Sequence, residues 1–184
     1  MSSNPEKILR LLDSALHFPL DLHLYGRAAL ALGFPNAPAA FHATMDVDAI
    51  LPARDLPAFE ANDDFWAAQE RTNRSLDHSD LYFTHLFDER QVILTPDWLQ
   101  HRVPISLPNL CHLRLWRPSV VDLILTKMMR VDPQDREDIL FLVEQPDASG
   151  SRLLEGLEAA IVPPIEEIQR AFQENRSWLS TIMA

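Results

Sequence analysis

The chain has 184 residues, 47% of them hydrophobic, and sets 16 Lys and Arg against 27 Asp and Glu for a formal net charge of -11. Such a chain buries about 70% of its unfolded surface and has the length of one domain with a small helical appendage, so it folds without staples. The acidic balance argues against an extended, sequence-independent nucleic-acid surface, no apolar run approaches the ~20 residues of a membrane span, and a single cysteine, Cys111, excludes an intramolecular disulfide framework.

Glu6 and Lys7 stand ahead of only a short apolar stretch, so the first residues do not read as a signal peptide, and a cytoplasmic location is expected. Ser3 to His17 reads as an amphipathic helix, with Pro5 in its first turn and Ile8, Leu12, Ala15 and Leu16 on one face. Leu20 to Tyr25 alternates as a short strand that Gly26 ends. The Ala- and Leu-rich run from Arg27 to Leu32 is a short helix stopped by Gly33 and Pro35. After a loop with Pro35, Asn36 and Pro38, Thr44 to Leu51 is a second alternating strand, ended by Pro52. Leu56 to Arg74 fits one or two helices. Leu81 to Phe87 reads as a strand that Gln91 to Leu94 pairs with as a hairpin, and Leu110 to Trp116 as a further strand. Pro118 to Arg130, Pro133 to Glu144, Arg152 to Ala160 and Pro163 to Leu179 all read as helices. The expectation is an α+β fold, a small mixed sheet flanked by helices over 1–116, with a helical segment over 117–184 packed on it.

Only four glycines are present, so neither a dinucleotide-binding nor a Walker-type phosphate loop can be written. Seven histidines include no pair at the three- or four-residue spacing of a helical zinc site, and no serine sits in a Gly-x-Ser-x-Gly elbow. Cys111, flanked by Leu110 and Leu113, is expected to be a buried thiol. The four tryptophans are expected in the core or at subunit contacts. Arg114 and Trp116, two apart in a strand, share a face that hints at an anion-binding surface.

Asp46-Val47-Asp48 carries the most chemistry. In a strand both carboxylates point to one face with Cα atoms roughly 6.5–7 Å apart, and like charges so placed favour a cation between them. Oxygen-only ligands of this kind suit Mg²⁺ completed by phosphates and water; the alternative is a solvated strand face. Lys127 emerges from the apolar stripe of Val120, Leu123 and Ile124. It either contacts a nucleotide or pairs with Asp135 or Asp138, which brace their helix.

The stretch Leu22-His-Leu-Tyr-Gly26-Arg27-Ala-Ala-Leu followed by Thr44-Met-Asp46-Val-Asp48 resembles the nucleotidyltransferase fold of the polymerase-beta superfamily, in particular its small bacterial branch with abortive-infection toxin-like members. Lys127 followed by Asp135-Arg-Glu-Asp138 resembles a helical segment of the same family. The resemblance implies that Asp46 and Asp48 are catalytic and hold Mg²⁺ or Mn²⁺, and that Gly26, with the helix N-terminus after it, faces a nucleoside triphosphate, with Arg27 and Lys127 as further nucleotide contacts. It also implies an acceptor hydroxyl on an RNA end, a protein or a small molecule, and a toxin–antitoxin-like setting. The chain departs from the pattern in four places, one of them His42, which stands where close relatives often have an arginine before the Thr-x-Asp. Arg27 follows Gly26 where a small residue is expected, and the interval from Gly26 to Asp46 is long. Leu81 to Phe87 contains no acid where the family has a third carboxylate; only Asp80 and Asp88 bracket it. Two readings follow: a Mg²⁺-dependent nucleotidyltransferase, or a catalytically degenerate scaffold of that fold acting through a protein partner or as a homodimer.

Overall fold

Ser3 caps the first helix, α1 (Asn4–Ala15), by accepting a hydrogen bond from the Glu6 N–H at 3.3 Å, and Pro5 sits in the opening turn. The structure is a computed structural model that describes residues 2–183, residue 85 by its backbone alone. It is an α+β protein whose chain clusters into two units: the chain up to Asp88 together with Val103–Arg117, and Glu89–Arg102 together with the chain from Pro118. Residues 89–102, read with the N-terminal part in the sequence, therefore cluster with the C-terminal helices.

The first unit is built on a mixed five-stranded sheet. After α1 come β1 (Leu20–Tyr25), α2 (Gly26–Gly33), α3 (Ala39–His42), β2 (Asp46–Leu51), α4 (Leu56–Glu60), α5 (Asp63–Leu76), β3 (Tyr82–Asp88), β4 (Val103–Ile105) and β5 (Leu113–Arg117), with the strands in the order β3-β2-β1-β5-β4. β1 runs antiparallel to β2 and parallel to β5, β2 parallel to β3, and β4 antiparallel to β5. Leu22, Leu24, Val47, Ala49, Leu51, Phe83, Leu113 and Leu115 form one face, all buried, and α1, α2 and α5 pack on the sheet. Strand alternation puts Asp21, His23, Tyr25, Asp46, Asp48, Arg114 and Trp116 on the other face. Arg114 and Trp116 do share that face, and both are engaged by one carboxylate: Arg114 Nε lies 2.8 Å from Asp21 Oδ1, and Trp116 Nε1 donates to the same oxygen at 3.0 Å.

Both sheet edges are blunted. Asn73 of α5 accepts from the Phe83 N–H at 2.8 Å and donates to the Phe83 carbonyl at 3.0 Å, occupying the outward backbone groups of that residue of edge strand β3. At the opposite edge β4 is three residues long and carries Pro104, which only an edge strand tolerates. That brevity and that proline leave β4 without a sequence signal.

The hairpin expected from Leu81–Phe87 and Gln91–Leu94 does not form. Glu89–Gln91 is a 3₁₀ turn, Val92, Ile93 and Leu94 are buried in succession rather than alternately, and Leu94 makes an isolated antiparallel bridge with Ile161. A continuous apolar run of this length serves any fully buried backbone, and here it is an irregular segment. Cys111 also departs from expectation, because it is exposed. It lies in a turn, with Asn109 at φ 64°, whose backbone N–H groups rather than side chains point inward to Asp13.

The second unit holds residues 89–102 with α6 (Val120–Lys127), α7 (Pro133–Val143), α8 (Gly150–Ala159) and α9 (Glu166–Met183). Ser119, Asp132 and Ser149 cap α6, α7 and α8. Gly156 lets α8 approach α6 closely: a Cβ there would collide with the Val121 side chain. Asn175 of α9, fully buried, donates to the carbonyls of Met128 and Arg130 at 3.3 and 2.8 Å and so satisfies acceptors just past the end of α6. Asp122 Oδ1 accepts from the Thr95 N–H and hydroxyl, both at 2.8 Å, which ties the 89–102 segment to α6. Among the described residues, no helix is long and apolar enough to cross a membrane.

Candidate functional site

β2 is positioned by its apolar side. Val47, Ala49 and Leu51 are buried, so the period-two geometry of a strand turns Asp46 and Asp48 to the opposite face, where both are half-buried. The Thr44 hydroxyl, two residues before Asp46, donates to Asp46 Oδ1 at 2.9 Å. The Thr84 hydroxyl of β3 donates to Asp48 Oδ1 at 2.5 Å.

The antiparallel register sets Tyr25, the last residue of β1, opposite Asp48. The chain then turns into α2 through Gly26, whose φ of 64° is a left-handed conformation that favours glycine. A Cβ on Gly26 would lie 3.8 Å from Asp48 Oδ2, an ordinary contact, so the backbone angle rather than crowding calls for glycine. Ala28, Ala29, Leu30 and Ala31 are buried and anchor α2. Tyr25, its N-cap, makes no side-chain capping bond, and the first-turn N–H groups point out of the end that adjoins Asp48. Two carboxylates, a glycine and a helix N-terminus are thereby gathered at one end of the β1–β2 pair.

Arg27, the residue after Gly26, has its guanidinium carbon 5.3 Å from the centre of the Phe41 ring on α3, a cation–π arrangement. Asp46, Asp48, Gly26 and Arg27 all belong to the first unit. Lys127 belongs to the second and is buried, with Nζ 2.9 Å from Asp135 Oδ1 and 2.6 Å from Asp138 Oδ2; Arg130 reaches the other oxygen of Asp135 at 2.8 Å. Of the two roles open to Lys127, the ion pair is the one the side chains adopt here.

The donor set fits a hard divalent cation. It is all oxygen, lies on one strand face, and supplies two carboxylates, the number usual where Mg²⁺ keeps waters and substrate phosphates as its other ligands. Asp80 is exposed, at φ 53° after a 3₁₀ turn, and Asp88 pairs with Leu51, three residues beyond Asp48. Among the described residues no three His, Cys, Asp or Glu side chains gather as a metal-binding group.

Thr84 carries no signal in the sequence, because its place beside Asp48 depends on strand register. The pairs Asp46–Tyr82 and Val47–Phe83 set that register, and a bulge follows, because Ala49 pairs with Leu86 and two residues of β3 stand opposite Asp48 alone. A separate cavity of about 290 Å³, lined by residues including Arg10, Asp13, Cys111 and His112, shares no residue with the aspartate pair. Comparison of the chain with protein-family models, with curated proteins and with solved structures found no match.

Proposed function

We propose that the chain is a nucleotidyltransferase-like protein that binds a nucleoside triphosphate with Mg²⁺ at Asp46 and Asp48 and moves a nucleotidyl group to an acceptor hydroxyl. The observation that carries the reading is Asp48 Oδ2 adjoining Gly26 at the start of α2, a carboxylate for a cation beside a helix end for phosphate. Asp46 and Asp48 hold the cation, which when bound neutralises charge on the phosphates. Gly26 lets the triphosphate approach the backbone, and Arg27, next to it, contacts a phosphate. In the reaction the acceptor oxygen bonds to the α-phosphorus, and the bond to the bridging oxygen breaks. Pyrophosphate leaves with that electron pair, and the hydroxyl proton passes to solvent. The acceptor class is an RNA end, a protein or a small molecule, in a cytoplasmic and toxin–antitoxin-like setting.

The test is incubation with labelled nucleoside triphosphates, Mg²⁺ or Mn²⁺, and acceptors of those three classes. Wild type should transfer label, and Asp46→Asn and Asp48→Asn should each fall by roughly 100-fold or more, as expected when a ligand to an essential cation is lost. Transfer by the variants at the wild-type rate would sink the assignment.

One observation favours a second reading, a scaffold of this fold that binds nucleotide and acts through a protein partner or a second copy of itself. Thr84 of β3, a neutral residue, donates its hydroxyl to Asp48, and no carboxylate lies between Tyr82 and Phe87, where the family has its third acid. Aspartate-dependent binding of Mn²⁺ and nucleotide with no label transferred to any acceptor would decide for this reading.

A further inference from the structure

Thr84 and Thr44 treat the two aspartates alike. Each hydroxyl donates to the Oδ1 atom of its aspartate, Thr44 to Asp46 at 2.9 Å and Thr84 to Asp48 at 2.5 Å. A hydroxyl bonded to a carboxylate is a strong, charge-assisted contact. Thr44 arrives by chain proximity, two residues ahead of its partner. Thr84 arrives from a neighbouring strand: Tyr82 pairs with Asp46 and Phe83 with Val47, so regular pairing sets Thr84 opposite Asp48, and one extra residue is inserted just after it before Leu86 resumes the register with Ala49. The irregularity of the parallel pair coincides with the carboxylate that adjoins Gly26.

The side-chain chemistry fits a positioning role. Threonine is stiff about χ1, so on a fixed strand its hydroxyl has few directions to adopt. With Oδ1 of Asp48 occupied from β3, the carboxylate plane is set, and Oδ2 is the oxygen turned toward Gly26, 3.8 Å from where a Cβ there would stand. A neutral donor does this without adding negative charge, so Asp46 and Asp48 together carry about the charge that one divalent cation balances.

We propose that Thr84 is a positioning residue that orients the Asp48 carboxylate so that Oδ2 faces a single divalent cation beside Gly26. The proposal rests on the cation-site reading above. Outer partners of metal ligands that fix their orientation typically contribute 10–100-fold to metal affinity.

The experiment measures Mn²⁺ binding to the full chain without nucleotide, by electron paramagnetic resonance of the free ion and by titration calorimetry. Wild type should bind one Mn²⁺ at this site, Thr84→Val should bind roughly 10-fold more weakly, and Thr84→Ser, which keeps the hydroxyl, should bind within about twofold of wild type. Thr84→Ala provides the same loss of hydroxyl in a smaller side chain, and thermal unfolding of each variant confirms that the sheet is intact. Wild-type affinity in a folded Thr84→Val or Thr84→Ala, with affinity lost in Asp48→Asn, overturns the role of Thr84 and leaves the cation site standing. Wild-type affinity in Asp48→Asn overturns the site and the role of Thr84 together. Two equivalents of Mn²⁺ that both depend on Asp48 overturn the single-cation statement.

Discussion

Asp13 of α1 and Asp122 of α6 are both buried, at 5% and 1% exposure, and each ties an irregular segment to a helix, yet their acidities move in opposite directions. Burial is the largest influence on each and raises both. For Asp13 it is outweighed by three backbone N–H donors, from Cys111 at 2.9 Å, His112 at 2.8 Å and Leu113 at 2.7 Å, which hold the carboxyl below its usual range. For Asp122 one backbone N–H and the hydroxyls of Thr95 and Ser119 do not suffice, and the charge of Asp97 adds to the upward push. The number of fixed amide dipoles aimed at the charge, the depth of its burial and the neighbouring charge, His112 beside Asp13 and Asp97 beside Asp122, together separate the two carboxylates. The first unit holds its buried carboxylate ionised with backbone, whereas the second uses hydroxyls at Asp122 and an ammonium at Asp135 and Asp138.

The largest effect is expected where the compensating group is a full charge. Lys127→Met leaves Asp135 and Asp138, 2% and 0% exposed, without their ammonium, and should lower the unfolding free energy of the protein by about 3–5 kcal/mol in chemical denaturation. A loss under about 1 kcal/mol would mean that Arg130 and local backbone suffice for the two carboxylates. Asp13→Ala comes next. It strips the acceptors from three N–H groups, but Cys111 is exposed and water can reach part of the turn, so about 2–3 kcal/mol is expected by the same measurement. Because the folded Asp13 pKa is lowered, its contribution is fully present above the ordinary carboxylate pKa and is lost as pH falls from there through the folded value. The stability difference between wild type and Asp13→Asn should therefore shrink as pH falls through that acidic window.

These contrasts also show what a sequence can tell. The Asp-x-Asp face was legible, because strand alternation is a local rule and Val47 and Ala49 declare the buried side. The strand, glycine and short helix before it were legible for the same kind of reason, since the turn chemistry of Gly26 and the helix propensity of Ala28 to Leu30 act over neighbouring residues. The pairing of Lys127 with Asp135 and Asp138 was legible as one of two roles, from helical spacing alone. The groups that required the fold are those joined by distant register: Thr84 with Asp48, 36 residues apart, Asp122 with Thr95, 27 apart, and Asp13 with the turn at Cys111, 98 apart. The misreadings at Cys111 and at Gln91–Leu94 share one cause. Apolar neighbours predict burial of a region, but they do not say which atoms of a turn face inward or whether a buried run is a strand.

Asp122→Asn is expected to have the smallest effect at neutral pH and makes the sharpest test of the comparison. The amide oxygen of Asn can still accept both bonds from Thr95, and its NH₂ can donate to Ser119 Oγ, whose hydroxyl is able to turn, so the connections between the 89–102 segment and α6 persist. What disappears is a buried charge that the local donors do not fully compensate. The change in unfolding free energy should stay within about 1 kcal/mol, on either side of zero. The sign of the pH dependence is fixed by linkage. A carboxyl raised in the folded state binds its proton more readily there than in the unfolded chain, so its destabilising charge is absent below the ordinary carboxylate pKa and grows as pH rises through the folded value. Relative to wild type, Asp122→Asn should therefore gain stability as pH rises through that window, while Asp13→Asn loses it. Parallel slopes for the two variants would show that hydroxyls hold a buried carboxylate as well as backbone amides do, and the distinction between the units would fall.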